Sequence, residues 1–176
     1  MKTTRTIILA GIALVLTACN STATSDGPVS DATRPAQIDT MYQEYRKDFP
    51  DVKEITPQEV EDAQKSGNLV LVDVRSPEEQ AISMIPGAIT AEAFAAAEDS
   101  YRDKTVVTYC TIGARSGIYA DGLRKKGFDV SNLKGSLLAW THAGLPLKNS
   151  EGKDTKRVHV YGKKWNLVAD GYEAVW

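Results

Sequence analysis

Twelve residues constrain this chain more than any others: Thr105-Val-Val-Thr-Tyr-Cys-Thr-Ile-Gly-Ala-Arg-Ser116. The β-branched run from Thr105 to Tyr109 reads as a buried strand. It ends on Cys110, passes through Gly113, and reaches Arg115 and Ser116, which open a helical pattern. Strand, tight loop and helix N-terminus in that order aim several backbone N–H groups at one point. Those donors, the helix dipole and the Arg115 guanidinium all stabilise an anionic sulfur there. Cys110 is therefore read as a nucleophile. Thr111, Ile112, Gly113, Ala114, Arg115 and Ser116 are read as the loop that cradles whatever anion it carries.

The stretches on either side supply a sheet for that strand. Leu69 to Val74 is an apolar run of the kind found in central parallel strands. Phe128 to Leu133 predicts another strand, and Ile85 to Ile89 a turn leading into a short one. Helices are predicted between them. Thr56-Pro57-Gln58-Glu59 and Ser76-Pro77-Glu78-Glu79 are capping boxes with proline at the first helical position. Ala91 to Tyr101, Arg115 to Lys126 and Ser136 to His142 complete the set, with Gly127 as the C′ residue of the second. Strands alternating with helices over short links argue an α/β fold with a parallel sheet flanked by helices. In such sheets ligands sit beyond the carboxyl ends of the strands, where Cys110 falls. Ahead of this unit, Ile38, Met41, Tyr42, Tyr45 and Phe49 share one helical face and predict a lead-in helix over 38–53, capped by Asp39 or Thr40, that packs on the domain. Behind it, Val158 to Tyr161 and Asn166 to Ala169 predict two short strands, so 148–176 is a C-terminal β extension. Trp165, Tyr172 and Trp176 imply that this tail packs on something: the domain edge, the mouth of the site or a docked partner.

The N-terminus reads as a targeting segment. Lys2 and Arg5 precede an apolar run, Ile7 to Leu16, that is too short to span a membrane. Leu16-Thr17-Ala18-Cys19 resembles the bacterial lipobox, which implies cleavage before Cys19 and a lipid on it. That divides the chain into a signal peptide over 1–18, a flexible tether over 19–37 poor in large apolar residues, the domain over 38–147 and the extension. It implies an exported protein, lipid-anchored at the cell envelope. Removing Lys2 and Arg5 leaves 19 basic against 23 acidic residues, a formal charge of −4, and no basic excess for nucleic acid. Of two cysteines, only Cys110 then keeps a free thiol. A lone thiol retained in an oxidising compartment points to chemistry, and any oxidised or persulfidated form of it is resolved by an outside thiol.

Leu71-Val-Asp-Val-Arg75, Glu79, Ile85-Pro-Gly-Ala88, the Cys110 to Ser116 loop, Gly135 to Trp140 and Ala143-Gly-Leu-Pro146, in that order, resemble the rhodanese family over about residues 54–147. The resemblance implies a rhodanese-like sheet and a sulfurtransferase whose cysteine takes sulfane sulfur from a donor, holds it as persulfide and passes it to a nucleophilic acceptor. It implies no cofactor. Its partners are a small-molecule sulfur donor, a thiol or cyanide-like acceptor, possible protein acceptors of sulfur, and the membrane through the lipid. Two places depart from the family pattern: Ser83-Met84 stands where Gly-His precedes the Ile-Pro-Gly, and Ser136 stands at the second of two glycines.

The residues alone carry the same mechanism. A thiolate attacking sulfane sulfur splits the transfer into two half-reactions with a covalent intermediate, and the loop amides stabilise the persulfide. Arg115 either completes the cradle as its cation or points outward to an anionic donor such as thiosulfate. Asp73 and Arg75 are read as structural, with Arg75 pairing to Glu79 across the turn. His142 is read as solvent-facing or capping, and His159 has no partner at metal-ligand spacing, so no metal site is expected. Two other functions share the loop. Cysteine phosphatases and arsenate reductases place five residues between cysteine and arginine, whereas four separate Cys110 from Arg115, a cradle sized for one sulfur atom. A rhodanese-like module that binds a partner or senses oxidants or persulfides through Cys110 is the non-catalytic alternative.

Overall fold

The computed structural model describes residues 30–176. The expected signal peptide, the expected lipidation site Cys19 and the first part of the expected tether lie outside the described residues. Among those described, no helix is long and apolar enough to cross a membrane.

The core is a five-stranded sheet, all parallel, in the order β1-β5-β4-β2-β3. Its strands are β1 (Lys53–Ile55), β2 (Leu69–Asp73), β3 (Ile89–Thr90), β4 (Thr105–Tyr109) and β5 (Val130–Leu133). β4 lies in the middle, with Val106, Val107, Thr108 and Tyr109 all buried, as a strand covered on both faces must be. Helices α2 (Pro57–Gln64), α3 (Pro77–Ile82), α4 (Ala91–Ala96), α5 (Ala114–Lys125) and α6 (Ser136–His142) link the strands. Both capping boxes form, with Thr56 and Ser76 as N-caps and Glu59 and Glu79 closing them. Gly127 takes a left-handed φ of 87° after α5, which lets the chain turn into β5.

The sequence marks no strand at β1, and α4 ends at Ala96, with a 3-10 turn over Glu98–Tyr101 in place of the longer helix expected. Two further parts differ from the sequence expectation. The lead-in helix α1 spans Arg34–Arg46, not 38–53. It starts four residues earlier because Pro35 sits in its first turn and Ser30 and Thr33 bond ahead of it. It stops seven residues short because the chain must turn back to lay β1 against the edge of β5. The end of the predicted tether is thus part of the fold. Arg34 donates to Val168 O and Asp170 Oδ1, both at 2.8 Å, and Asp31 accepts the Asp170 N–H at 2.9 Å.

The extension is the second difference. Its strands are β6 (Arg157–His159) and β7 (Glu173–Val175), and they pair in parallel. Asn166 to Ala169 is not a strand. Leu167, Val168 and Ala169 are buried there by packing, and the first two join Val158, Val160, Trp140 and Leu147 in one apolar cluster. Residues Lys163–Trp165 form a single 3-10 turn. The tail therefore does pack on the domain, and the same segment reaches the carboxyl end of β4.

Candidate functional site

Cys110 follows β4 directly and is 1% exposed. Its sulfur accepts the Gly113 N–H at 3.2 Å. Gly113 is the N-cap of α5 and has no side chain to cap the helix, so the first-turn amides of Ala114, Arg115 and Ser116 lack an intrahelical carbonyl. The Gly113 N–H is bonded to the thiol, and the amides of Ala114, Arg115 and Ser116 follow it at the start of α5.

The loop is held from three directions. Behind it, the first amides of α6 bond its carbonyls, Leu137 N–H to Cys110 O at 3.2 Å and Leu138 N–H to Thr111 O at 3.1 Å. Ser136 joins them: its hydroxyl accepts the Cys110 N–H at 3.2 Å and donates to Leu133 O at 3.1 Å. Ser136 has a φ of 47°, a conformation glycine adopts without cost, so the departure from the double glycine exchanges ease of backbone for a hydroxyl on Cys110. From below, Asn132 of β5 donates to Gly113 O at 2.9 Å and accepts the Ser116 hydroxyl at 2.7 Å. From the side, α1 sets Tyr42 against Gly113 and the following turn sets Phe49 against Gly117. A Cβ on Gly113 would lie 2.6 Å from the Tyr42 ring.

Ser116 thus spends its side chain on Asn132, and only its backbone N–H is left for the cradle. Thr111 is buried, and its Oγ1 accepts from Arg115 at 3.3 Å. Ile112 and Ala114 are among the residues lining the pocket over the thiol.

Charge is arranged differently from the sequence expectation. Arg75 does not pair with Glu79. Its guanidinium and backbone N–H grip Asp73, two residues away, at 2.7–3.2 Å, and both side chains are fully buried. Glu79 pairs instead with Arg115, 36 residues on, through two hydrogen bonds of 2.7 Å. This fork-to-fork geometry favours Arg over any point charge. Burial pushes the Glu79 carboxyl up, but Arg115 and the Ser76 N–H outweigh it and bring its pKa down to about 2. Arg115 is correspondingly held charged, first by Glu79 and, after opposing burial, by Cys110.

A Glu79→Gln variant tests that pair. It removes a charged acceptor from a bidentate bond and is expected to cost about 1.5–3 kcal/mol at neutral pH in a urea titration. The folded pKa of about 2 lies below the ordinary 4.5, so the pair's contribution is complete above about 4.5 and declines as pH falls toward 2. The gap between wild type and variant should therefore narrow between pH 4.5 and pH 2. A gap that stays constant over that window would contradict the assignment.

Over the thiol opens a pocket of about 210 Å³, lined by Tyr45, Cys110, Thr111, Ile112, Ala114, Arg115, Tyr161 and Trp165. Tyr45 comes from α1, and Tyr161 and Trp165 come from the extension. Tyr45 and Trp165 stack with centroids 5.9 Å apart, and the Arg115 guanidinium lies 5.4 Å from the Tyr161 ring. The two histidines serve the extension. His142 is half-buried and bonds Leu167 O at 2.9 Å, rather than facing solvent or capping α6. His159 accepts the Tyr161 N–H at 3.2 Å, with Glu79 3.9 Å away.

Sequence reasoning missed Asn132 and the walls Tyr45 and Tyr161, whereas Trp165 lies at the mouth of the site, one of the placements the sequence offers for it. An asparagine two residues after Val130, on the face that Phe128 and Val130 share by strand alternation, was the available signal for the first, since a buried amide needs partners. Nothing local marked Tyr45 or Tyr161, because their role depends on a fold in which both chain ends meet over β4.

The fold and the thiol loop define an α/β protein with one cysteine among the described residues, at the carboxyl end of its central strand. Residues 56–143, half of the 176, match the rhodanese-like domain family, and the chain belongs to it. It is 37% identical over 89 residues to a sulfurtransferase of Allochromatium vinosum, covering 48% of this chain and 83% of that one. It is 34% identical over 103 residues to a thiosulfate sulfurtransferase of Actinobacillus succinogenes, covering 56% and 93%. Among solved structures, a thiosulfate sulfurtransferase of Pseudomonas aeruginosa shares the fold with a TM-score of 0.51 at 22% identity, over 70% of this chain and 24% of that one. A Rhodopseudomonas palustris protein of unknown function, described as a possible tyrosine phosphatase, superposes with a TM-score of 0.50 at 27% identity, over 63% and 93%. At family level, the chain is of sulfurtransferase type.

Proposed function

We propose that this chain transfers sulfane sulfur from a donor, such as thiosulfate or a persulfide, to a nucleophilic acceptor through a persulfide on Cys110. One observation carries the reading: the Cys110 sulfur lies at a pocket floor with the Gly113 N–H at 3.2 Å and the uncapped first turn of α5 beside it. The thiolate attacks the sulfane sulfur, a new Sγ–S bond forms, and the donor leaves with the electrons of its broken S–S bond. The terminal sulfur then carries the charge, and the loop amides stabilise it in a site shielded from bulk water. An acceptor such as cyanide takes that sulfur and restores the thiolate. Four residues between Cys110 and Arg115, and an Arg115 committed to Glu79, favour this over phosphoryl or arsenate chemistry.

Two half-reactions sharing one covalent intermediate give parallel lines in double-reciprocal plots of donor against cyanide. Converging lines would overturn the mechanism, and turnover of an aryl phosphate would overturn the reading of the loop. We propose further that the chain is exported and lipid-anchored through Cys19, on the basis of the lipobox-like Leu16 to Cys19. A Cys19→Ser chain that still partitions into membranes would refute that placement.

A further inference from the structure

The pocket over Cys110 is built in two parts of different origin. Its floor, from Cys110 to Arg115, lies inside residues 56–143, which match the family. Its aromatic walls, Tyr45, Tyr161 and Trp165, lie outside them, on the lead-in helix and the extension. These two flanks are fastened to each other by the Arg34 bonds to Val168 and Asp170 and by the Tyr45–Trp165 stack. Tyr161 is 68% exposed, yet it holds a left-handed φ of 68° with its N–H on His159. A tyrosine kept in that conformation at the rim of a site points to a requirement of the site.

The electrostatics point the same way. Among the lining residues Arg115 is the only cation, and both its terminal nitrogens are bound to Glu79 at 2.7 Å. Its charge is therefore balanced within the protein, and its guanidinium lies against the Tyr161 ring. Lys164 rests over the Trp165 ring at 4.9 Å and does not line the pocket. A small dianion entering such a space loses its hydration and gains no unpaired positive charge. An apolar group gains three aromatic surfaces. At about 210 Å³ the space holds a sulfur atom and a ring, since an apolar cavity of ~150 Å³ takes benzene.

Building on the sulfurtransferase reading, we propose that the pocket selects an organic persulfide, R–S–SH, whose aryl or branched-alkyl R group packs between Tyr45, Tyr161 and Trp165. The Cys110 thiolate attacks the outer sulfur, the S–S bond of the persulfide breaks, and RS⁻ leaves with the electron pair and takes a proton from water. The donor is reduced to a thiol as Cys110 becomes the persulfide, so no other oxidant or reductant is needed.

The test follows the initial rate of sulfur uptake by the purified full chain, read by intact mass, from benzyl persulfide, thiosulfate and inorganic tetrasulfide. Uptake from benzyl persulfide should exceed that from thiosulfate in kcat/KM by ~10-fold or more, the scale of one or two aromatic contacts. Tyr161→Ala, a change at an exposed side chain, and Trp165→Ala should each lower uptake from benzyl persulfide about tenfold more than uptake from tetrasulfide. Thiosulfate loading as fast as benzyl persulfide, or variants that slow every donor alike, would overturn the proposal while leaving sulfur transfer intact. A wild-type chain loaded by none of the three would overturn both.

Discussion

A Cys110→Ser chain is expected to take up no sulfane sulfur and to lose donor-to-cyanide turnover by at least ~10⁴-fold, the scale on which removing a covalent nucleophile acts. Serine oxygen forms no persulfide, and no second cysteine lies among the described residues to replace it. The fold should survive, because the hydrogen bond that the thiol accepts from the Gly113 N–H can be accepted equally by a hydroxyl. Unfolding free energies of variant and wild type should therefore agree within about 1 kcal/mol. A variant that retains turnover would place the chemistry elsewhere. A variant that unfolds would show Cys110 to be a packing residue.

The second large effect is expected at Gly113. Its φ of 106° lies where a side chain is strained, and a Cβ there would sit 2.6 and 2.8 Å from two carbons of the Tyr42 ring. Tyr42 is fully buried and cannot swing away, so the loop must move instead. Gly113→Ala should cost about 2–5 kcal/mol, combining a left-handed penalty of about 1–2 with overpacking of about 1–3. Displacing the loop also moves the Gly113 N–H off the sulfur, so uptake should fall in the molecules that remain folded. Gly122 is the internal control. It lies exposed on α5, a Cβ added to it would meet nothing within 4 Å, and Gly122→Ala should stabilise by about 0.5–1 kcal/mol. Urea denaturation of the two variants, shifting in opposite directions, checks the pair. A Gly113→Ala chain as stable as wild type would contradict the tight packing of α1 on the loop.

How much of the fold and site is legible in the sequence depends on whether the cause is local. The capping boxes at Thr56 and Ser76, the C′ glycine at 127 and the strand–cysteine–glycine–helix order all rest on neighbours within a few residues, and the parallel sheet follows from their alternation. β1 gives no such signal, because Lys53-Glu54-Ile55 is short and charged, and becomes a strand only by pairing with the edge of β5. Asn166 to Ala169 reads as a strand because it is apolar. It is buried by side-chain packing, and the ladder goes to Glu173–Val175 instead. The ion pairs show the same limit. Arg75 has three carboxylates within four residues, Asp73, Glu78 and Glu79, and proximity alone does not reveal that Arg115, arriving from another element, takes Glu79 and leaves Arg75 to Asp73. The cradle is legible because one segment makes it. The walls of the pocket are not, because Tyr45 and Trp165 are 120 positions apart and meet only over the finished sheet.

The most direct test of sulfur carriage is the intact mass of the full chain after exposure to thiosulfate, an organic persulfide or inorganic tetrasulfide. A gain of one sulfur atom is expected, mapped to the peptide bearing Cys110 and removed by cyanide as thiocyanate. A mass unchanged by all three donors, in a chain whose Cys110 still reacts with an alkylating agent, would contradict it and leave a module that binds or senses without transferring sulfur.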